Sequence, residues 1–206
     1  MWDIDHPKAQ LITHRIAEMI CVDNQPTTLV EDVGFIRLME VSCPNYQIPS
    51  RKYIKDKIIR GKIYKSIESQ IKEHLNDVPY LSLTSDIWTA DTNGTPFISL
   101  TVHWLTENFI QQHMVLAVKP FVESHTGDNI AEFFLLTLEH YGISTSKVHL
   151  VLRDAASNIV LGTRVAELPS LNCYIHQLSL IVNESVYSQR AISDIIRKNR
   201  QIVAHL

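Results

Sequence analysis

Two aspartates stand at the ends of stretches in which apolar residues alternate or run together. Asp86 closes Tyr80-Leu81-Ser82-Leu83-Thr84-Ser85-Asp86-Ile87-Trp88, and Asp154 follows Val148-His149-Leu150-Val151-Leu152-Arg153. Both stretches read as β-strands, so each carboxylate is expected just past a strand. If those strands are sheet neighbours, the two carboxylates reach one crevice, the arrangement that holds divalent cations for phosphoryl transfer on nucleic acid. Oxygen ligands with retained waters suit Mg²⁺ or Mn²⁺, and two carboxylates would hold such an ion weakly. The plainer alternative is that Asp86 starts a turn and Asp154 caps a helix.

Cys173 and His176 form a Cys-x-x-His pair, two zinc ligands where a structural site needs four; with no Cys-x-x-Cys partner in the chain, no zinc site is expected. Packed Cys173 with a hydrogen-bonded His176 is one reading, and contact of His176 with DNA or an active site is the other. Trp88 can stack on a base or pack at a strand end. Arg153 adjoins Asp154, but neighbouring residues on a strand face opposite ways. Asn158 is expected to brace the loop at Asp154 through side-chain to backbone bonds.

The elements that must position these residues follow from periodicity and breakers. Pro7 opens a short amphipathic helix through Ile20, a second covers Val33 to Glu40, and Ser50 caps a third running from Arg51 to about Asn76. Its apolar stripe is Ile54, Ile58, Ile63, Ile67, Ile71 and Leu75, with Gly61 as an interruption. The other side is basic. Arg51, Lys52, Lys55, Lys57, Arg60, Lys62, Lys65 and Lys72 make it either a solvated face or a DNA-backbone contact. After Asp77-Val78-Pro79 the pattern changes to three closely spaced strands, around Leu81 to Ile87, Ile98 to Trp104 and Gln111 to Val118, an antiparallel meander. Thr126 caps a helix that stops at Gly142, Val148 to Leu152 is a strand covered on both faces, and helices follow over Asn172 to Val186 and Ile192 to Leu206. Three strands, a helix and a fourth strand are the opening of an RNase H-like fold. The chain therefore reads as α/β, with a helical region over residues 1–78 and a mixed-sheet core over 79–206.

Four strings occur in order: Leu83-Thr84-Ser85-Asp86-Ile87-Trp88-Thr89, His125-Thr126-Gly127-Asp128-Asn129-Ile130, Arg153-Asp154-Ala155-Ala156-Ser157-Asn158 and Cys173-Tyr174-Ile175-His176-Gln177-Leu178-Ser179-Leu180. Together they resemble the hAT-family DNA transposases and their zinc finger BED-type domesticated relatives, from about Glu31 to Leu206. The resemblance implies an RNase H-like fold, with the first acid on the first strand, the second just after the fourth, and His176 on a helix near the DNA-facing edge. It also implies a third acid, a glutamate reached after a long helical insertion. Leu206 falls before or early in that insertion. Glu167 and Glu184 are outside the corresponding motif, so no third acid is assigned and the core is expected to be truncated, its last helices belonging to the insertion. At the second acid this chain has Asp-Ala-Ala-Ser-Asn where the family more often has Asp-Asn-Ala-Ser-Asn. The resemblance also implies a BED finger before Glu31 and a dimerisation segment after Leu206, which are not expected within these 206 residues and which a longer gene product would supply.

Composition narrows the setting. The 206 residues, 45% hydrophobic, suffice for a sizeable core, and a net charge of −3 means any DNA contact rests on a local patch. Three scattered cysteines fit a reducing compartment, and neither a signal peptide nor a membrane span is seen, so a nuclear or cytoplasmic, unsecreted protein is expected. The expectation is a hAT transposase-derived, catalytically incomplete protein associated with DNA binding or transcription regulation. Its partners would be DNA, bound weakly and without sequence preference through Arg51, Lys52, Lys55, Lys62, Lys65 and His176, and a second copy or another hAT-family protein. The alternatives are a fragment of an active transposase performing Mg²⁺-dependent strand cleavage and transfer at Asp86 and Asp154, and an inert protein-interaction module.

Overall fold

The structure is a computed structural model and describes residues 1–204. The last two residues of the helix expected through Leu206 lie outside the described residues. The chain forms two compact units, Met1–Glu73 and a second that begins at His74.

In the first unit α1 (Pro7–Val22) starts at Pro7 as expected, with the His6 side chain accepting from the Lys8 amide. Next come α2 (Val33–Ser42) and α3 (Arg51–Tyr53), whose cap is Ser50, its hydroxyl accepting from the Tyr53 amide at 3.2 Å. The helix continues without a break through a π-wound stretch, Ile54–Tyr64, into α4 (Lys65–Asn76), whose residues 74–76 fall in the second unit. The core gathers Ala9, Ile16, Ala17, Ile20, Val30, Tyr46, Ile54 and Ile58. Tyr46 keeps its hydroxyl satisfied inside this core, 2.8 Å from that of Thr13, which itself donates to the Ala9 carbonyl. The wider π winding changes the phase of the stripe expected from α-helical spacing. Ile54, Ile58, Ile71 and Leu75 are buried, but Ile67 is exposed.

The second unit is built on β1 (Leu81–Thr89), β2 (Pro96–Leu105), β3 (Gln111–Pro120), α5 (Gly127–His140), β4 (Val148–Arg153), α6 (Ser157–Val165), β5 (Ser170–Asn172), α7 (Tyr174–Tyr187) and α8 (Arg190–Ala204). Its sheet order is β3-β2-β1-β4-β5. The β1–β2 and β2–β3 pairs are antiparallel, while β1–β4 and β4–β5 are parallel. This is the mixed sheet of an RNase H-like α/β fold. One face of β1 and β2 supplies Leu81, Leu83, Ile98, Leu100 and Val102 to the core, where α5 adds Ile130, Phe134 and Leu138, all buried. The other face, with Thr84, Ser99, Thr101 and His103, is half-buried.

Two details lock the antiparallel half in register. Leu100 pairs with Ala117 but Thr101 pairs with Val115, so Leu116 is the extra residue of a bulge in β3. Its side chain is buried, and its carbonyl accepts the Tyr141 hydroxyl at 2.9 Å, tying the end of α5 to the bulge. The string from His125 to Asn129 is an entry device for α5. His125 stacks on Phe121 with ring centroids 4.8 Å apart and reaches its carbonyl, Thr126 accepts from the Asn129 amide, and the Asn129 side chain donates to the Ser124 carbonyl at 2.7 Å.

Three expectations are corrected. Asp86 lies inside β1, three residues before its end, because the pairing with β2 runs on through Trp88 and Thr89. Ser170–Asn172 forms a fifth strand where a helix was expected from Asn172. Three residues are too few to display a period. The helix Ser157–Val165 precedes that strand, and its Asn158 side chain accepts its own neighbour's amide, Ile159, rather than bracing the Asp154 loop.

Helices α5 and α6 meet through glycine. A Cβ on Gly127 would stand 2.5 Å from Leu161 Cγ, and one on Gly162 would stand 2.6 Å from Ile130 Cγ2. Because Ile130 is fully buried it has little room to yield, so Gly162→Ala should destabilise this unit by about 1–3 kcal/mol. Gly34→Ala, on α2 with open space around it, should be neutral or stabilising by up to about 1 kcal/mol. Denaturant titration of both variants checks the opposite signs.

Candidate functional site

The parallel pairing of β1 with β4 aligns Leu83 with Val151 and Thr84 with Leu152, so the carboxyl ends of the two strands lie side by side. There a crevice of about 240 Å³ is lined by Thr84, Ser85, Asp86, Ser99, Leu152, Arg153, Asp154, Cys173 and His176. The two aspartates singled out by sequence thus share one crevice, together with both members of the Cys-x-x-His pair. Asp86 is exposed and its Oδ1 accepts the next amide, Ile87, at 3.0 Å. Asp154 is half-exposed and its Oδ1 accepts the Ala156 amide at 3.0 Å, holding the turn that leads into α6. Cys173 caps α7, and its amide donates to the Arg153 carbonyl at 2.6 Å, which brings the first turn of α7 with His176 to the crevice mouth.

Arg153 is the site residue that sequence reasoning set aside. Its side chain is 7% exposed, and Nη1 donates to the Asp154 carbonyl at 2.8 Å and to Asn172 Oδ1, while Nε donates to Thr163 Oγ1 at 3.4 Å. One guanidinium thereby ties β4 to β5, to α6 and to the turn behind the second aspartate. Burial pushes its pKa down from its ordinary value, and the neighbouring Asp154 charge opposes that shift. The available signal was chemical: an arginine ending an otherwise apolar strand must find several acceptors or it would not be buried. On the open face of the sheet, Thr84 Oγ1 bonds His103 Nε2 at 3.0 Å, and burial lowers the His103 pKa below its ordinary 6.5, with His113 as a lesser cause. Trp88 stacks on Phe97 at 5.7 Å and stays 40% exposed.

The RNase H-like fold implies a divalent-cation site here, and the residues present do not fit one of the two-metal kind. That chemistry needs carboxylates enough to bridge two ions. Among the described residues, no three of His, Cys, Asp and Glu stand at metal-holding spacing. Each aspartate already spends an oxygen on a backbone amide, and a buried guanidinium adjoins the second. Glu167, in the left-handed region at φ 55, Glu184 and Asp194 are not among the residues lining the crevice. The basic residues expected to contact DNA, Arg51, Lys52, Lys55, Lys62 and Lys65, are exposed and all lie in the first unit. Arg51 pairs with Glu31 at 3.5 Å.

A β3-β2-β1-β4-β5 sheet with one aspartate within β1 and another just past β4 defines an RNase-like domain, and residues 84–172 match the ZBED1 RNase-like domain. The human zinc finger BED domain-containing protein 4 is 31% identical over 96% of this chain, and the mouse zinc finger BED domain-containing protein 6 is 24% identical over 98%. A putative transcriptional regulator, tpeD, of Talaromyces stipitatus is 24% identical over 87%. These similarities to zinc finger BED domain-containing proteins support a domesticated hAT-family relative. The chain spans about a fifth of the length of these curated relatives, 18%, 22% and 23% respectively.

Replacing Arg153 with methionine keeps most of the buried volume but removes every one of these hydrogen bonds. Arg153→Met should cost about 1–3 kcal/mol of stability. Asp86→Ala, at an exposed position, should change it by less than about 0.5 kcal/mol. Urea midpoints of the two variants provide the check.

Proposed function

We propose that this chain is a hAT transposase-derived protein whose RNase H-like unit does not cut DNA by itself, and which associates weakly with nucleic acid in nuclear transcription regulation. The observation that carries this reading is a crevice in which Asp86 and Asp154 converge from neighbouring strands with no third acid among the described residues that line it. Two carboxylates position at most a loosely held Mg²⁺ or Mn²⁺, which leaves either the attacking or the departing oxygen of a phosphodiester without its cation. The names of the relatives support the setting: a BED-type zinc finger in two of them and transcriptional regulation in the third.

Nucleic-acid association rests on the exposed cations of the long helical run, Arg51, Lys52, Lys55, Lys62 and Lys65, with His176 at the crevice as a second contact. Lysine and arginine side chains on phosphates carry no sequence information, and each phosphate neutralised releases counterions. Because the whole chain carries −3, there is no general field to add to these contacts.

Incubation of labelled duplex with the chain and Mg²⁺ or Mn²⁺ should give no nicking or joining. Metal-dependent nicking that disappears in both Asp86→Ala and Asp154→Ala would replace this reading with that of an active nuclease. Duplex titrations at several salt concentrations should give weak, sequence-indifferent binding with a log–log salt slope near −0.9 for each phosphate contacted. Changing Lys55, Lys62 and Lys65 together to glutamate should abolish it, and Asp86→Ala should leave it intact or slightly stronger. Binding that ignores both salt and the triple change would remove the basic helix from the account.

A further inference from the structure

Away from the crevice, the open face of the sheet brings two more ligating side chains together. His103 of β2 and His113 of β3 are direct partners across the antiparallel pair, and residues so placed project from the same face with Cβ atoms about 4.5–5.5 Å apart. Their rings lie 5.9 Å apart between centroids and 26° from parallel. The His103 ring is held from behind, Nε2 to Thr84 Oγ1 at 3.0 Å, which fixes its orientation and leaves Nδ1 as the nitrogen for a further partner. A hydroxyl, carbonyl or carboxylate bonded to the second ring nitrogen is how proteins prepare a histidine for a metal. His113 is exposed and open to solvent.

We propose that His103 and His113 form a two-histidine chelate for a borderline divalent transition cation such as Zn²⁺, Ni²⁺ or Cu²⁺. Imidazole nitrogen selects these ions over Mg²⁺ and Ca²⁺, which take oxygen ligands. Metal to nitrogen distances of about 2.0–2.1 Å require the exposed His113 ring to turn out of its near-parallel stack so that both rings point a nitrogen at one ion. With no third His, Cys, Asp or Glu at metal-holding spacing among the described residues, water completes the coordination and the ion exchanges readily. Bound there, it clips the edge strand β3 to β2 in the part of the sheet beyond the bulge. Thr84 also lines the crevice, so one residue borders both sites.

Calorimetric titration of Ni²⁺ into the chain near neutral pH tests the proposal. One ion per chain is expected to bind at this pair, and excess Ni²⁺ should raise the thermal unfolding midpoint. Thr84→Val, which removes only the supporting hydroxyl, should weaken binding about tenfold, and His113→Asn, at an exposed position that leaves the fold in place, should weaken it by more. The rise in midpoint should vanish in His113→Asn. The proposal is overturned if no ion binds, if His113→Asn binds Ni²⁺ as tightly as the parent, or if Cys173→Ser rather than His113→Asn abolishes binding.

Discussion

Everything at the crevice depends on the parallel pairing of β1 with β4. Parallel strands cannot be joined by a hairpin; the chain must leave one end of the sheet and return to the other. Here the return takes β2, β3 and α5, and the pairing closes only when that whole crossover is packed. Asp86 and Asp154 are 68 positions apart in the chain and meet because Leu83 faces Val151 and Thr84 faces Leu152. The glycine contact between α5 and α6 serves the same closure, since each glycine makes room for a side chain of the other helix, Leu161 against Gly127 and Ile130 against Gly162. The bulge at Leu116, latched by Tyr141, holds the far side of the crossover in register.

The second interaction of consequence is the burial of Arg153. A guanidinium removed from water needs its donors occupied, and its acceptors here are neutral: a carbonyl, an asparagine amide oxygen and a threonine hydroxyl. Because these acceptors carry no charge, the positive charge of Arg153 remains uncompensated by them and is felt by the Asp154 carboxylate next to it. The crevice therefore combines two acids with one fixed cation, so its charge is set by the fold as well as by the aspartates.

The sequence revealed the fold at the positions where period and punctuation are strong. Alternation in Leu81 to Ile87 and Ile98 to Trp104, the cap at Thr126, the stop at Gly142 and the apolar run from Val148 correspond to β1, β2, α5 and β4. It failed where an element is too short to show a period, as in β5, or where winding departs from the α-helix, as in Ile54–Tyr64, so that Ile67 turned out exposed. Asp86 and Asp154 were legible as candidate site acids; Asp86 lies within β1 and not past it, and both line the crevice. Arg153 was missed because alternation assigns it a face but not a partner, and its partners Thr163 and Asn172 are 10 and 19 residues further on. The pairing of His103 with His113 was equally hidden, because it requires the β2–β3 register, and the bulge shifts that register by one residue.

The two rims of the sheet are unequal, and this governs how the domain fails as well as how it folds. β5 offers three residues of unpaired backbone, too short a template to recruit another strand, whereas β3 offers ten. Native proteins blunt such rims with bulges, lysines and prolines, and β3 has one of each, at Leu116, Lys119 and Pro120. All three lie in its second half. The first half, from Gln111 to Val115, has none of these guards, so in a partly unfolded chain this is the segment from which intermolecular strand addition starts, and sheet growth from this domain is one-sided.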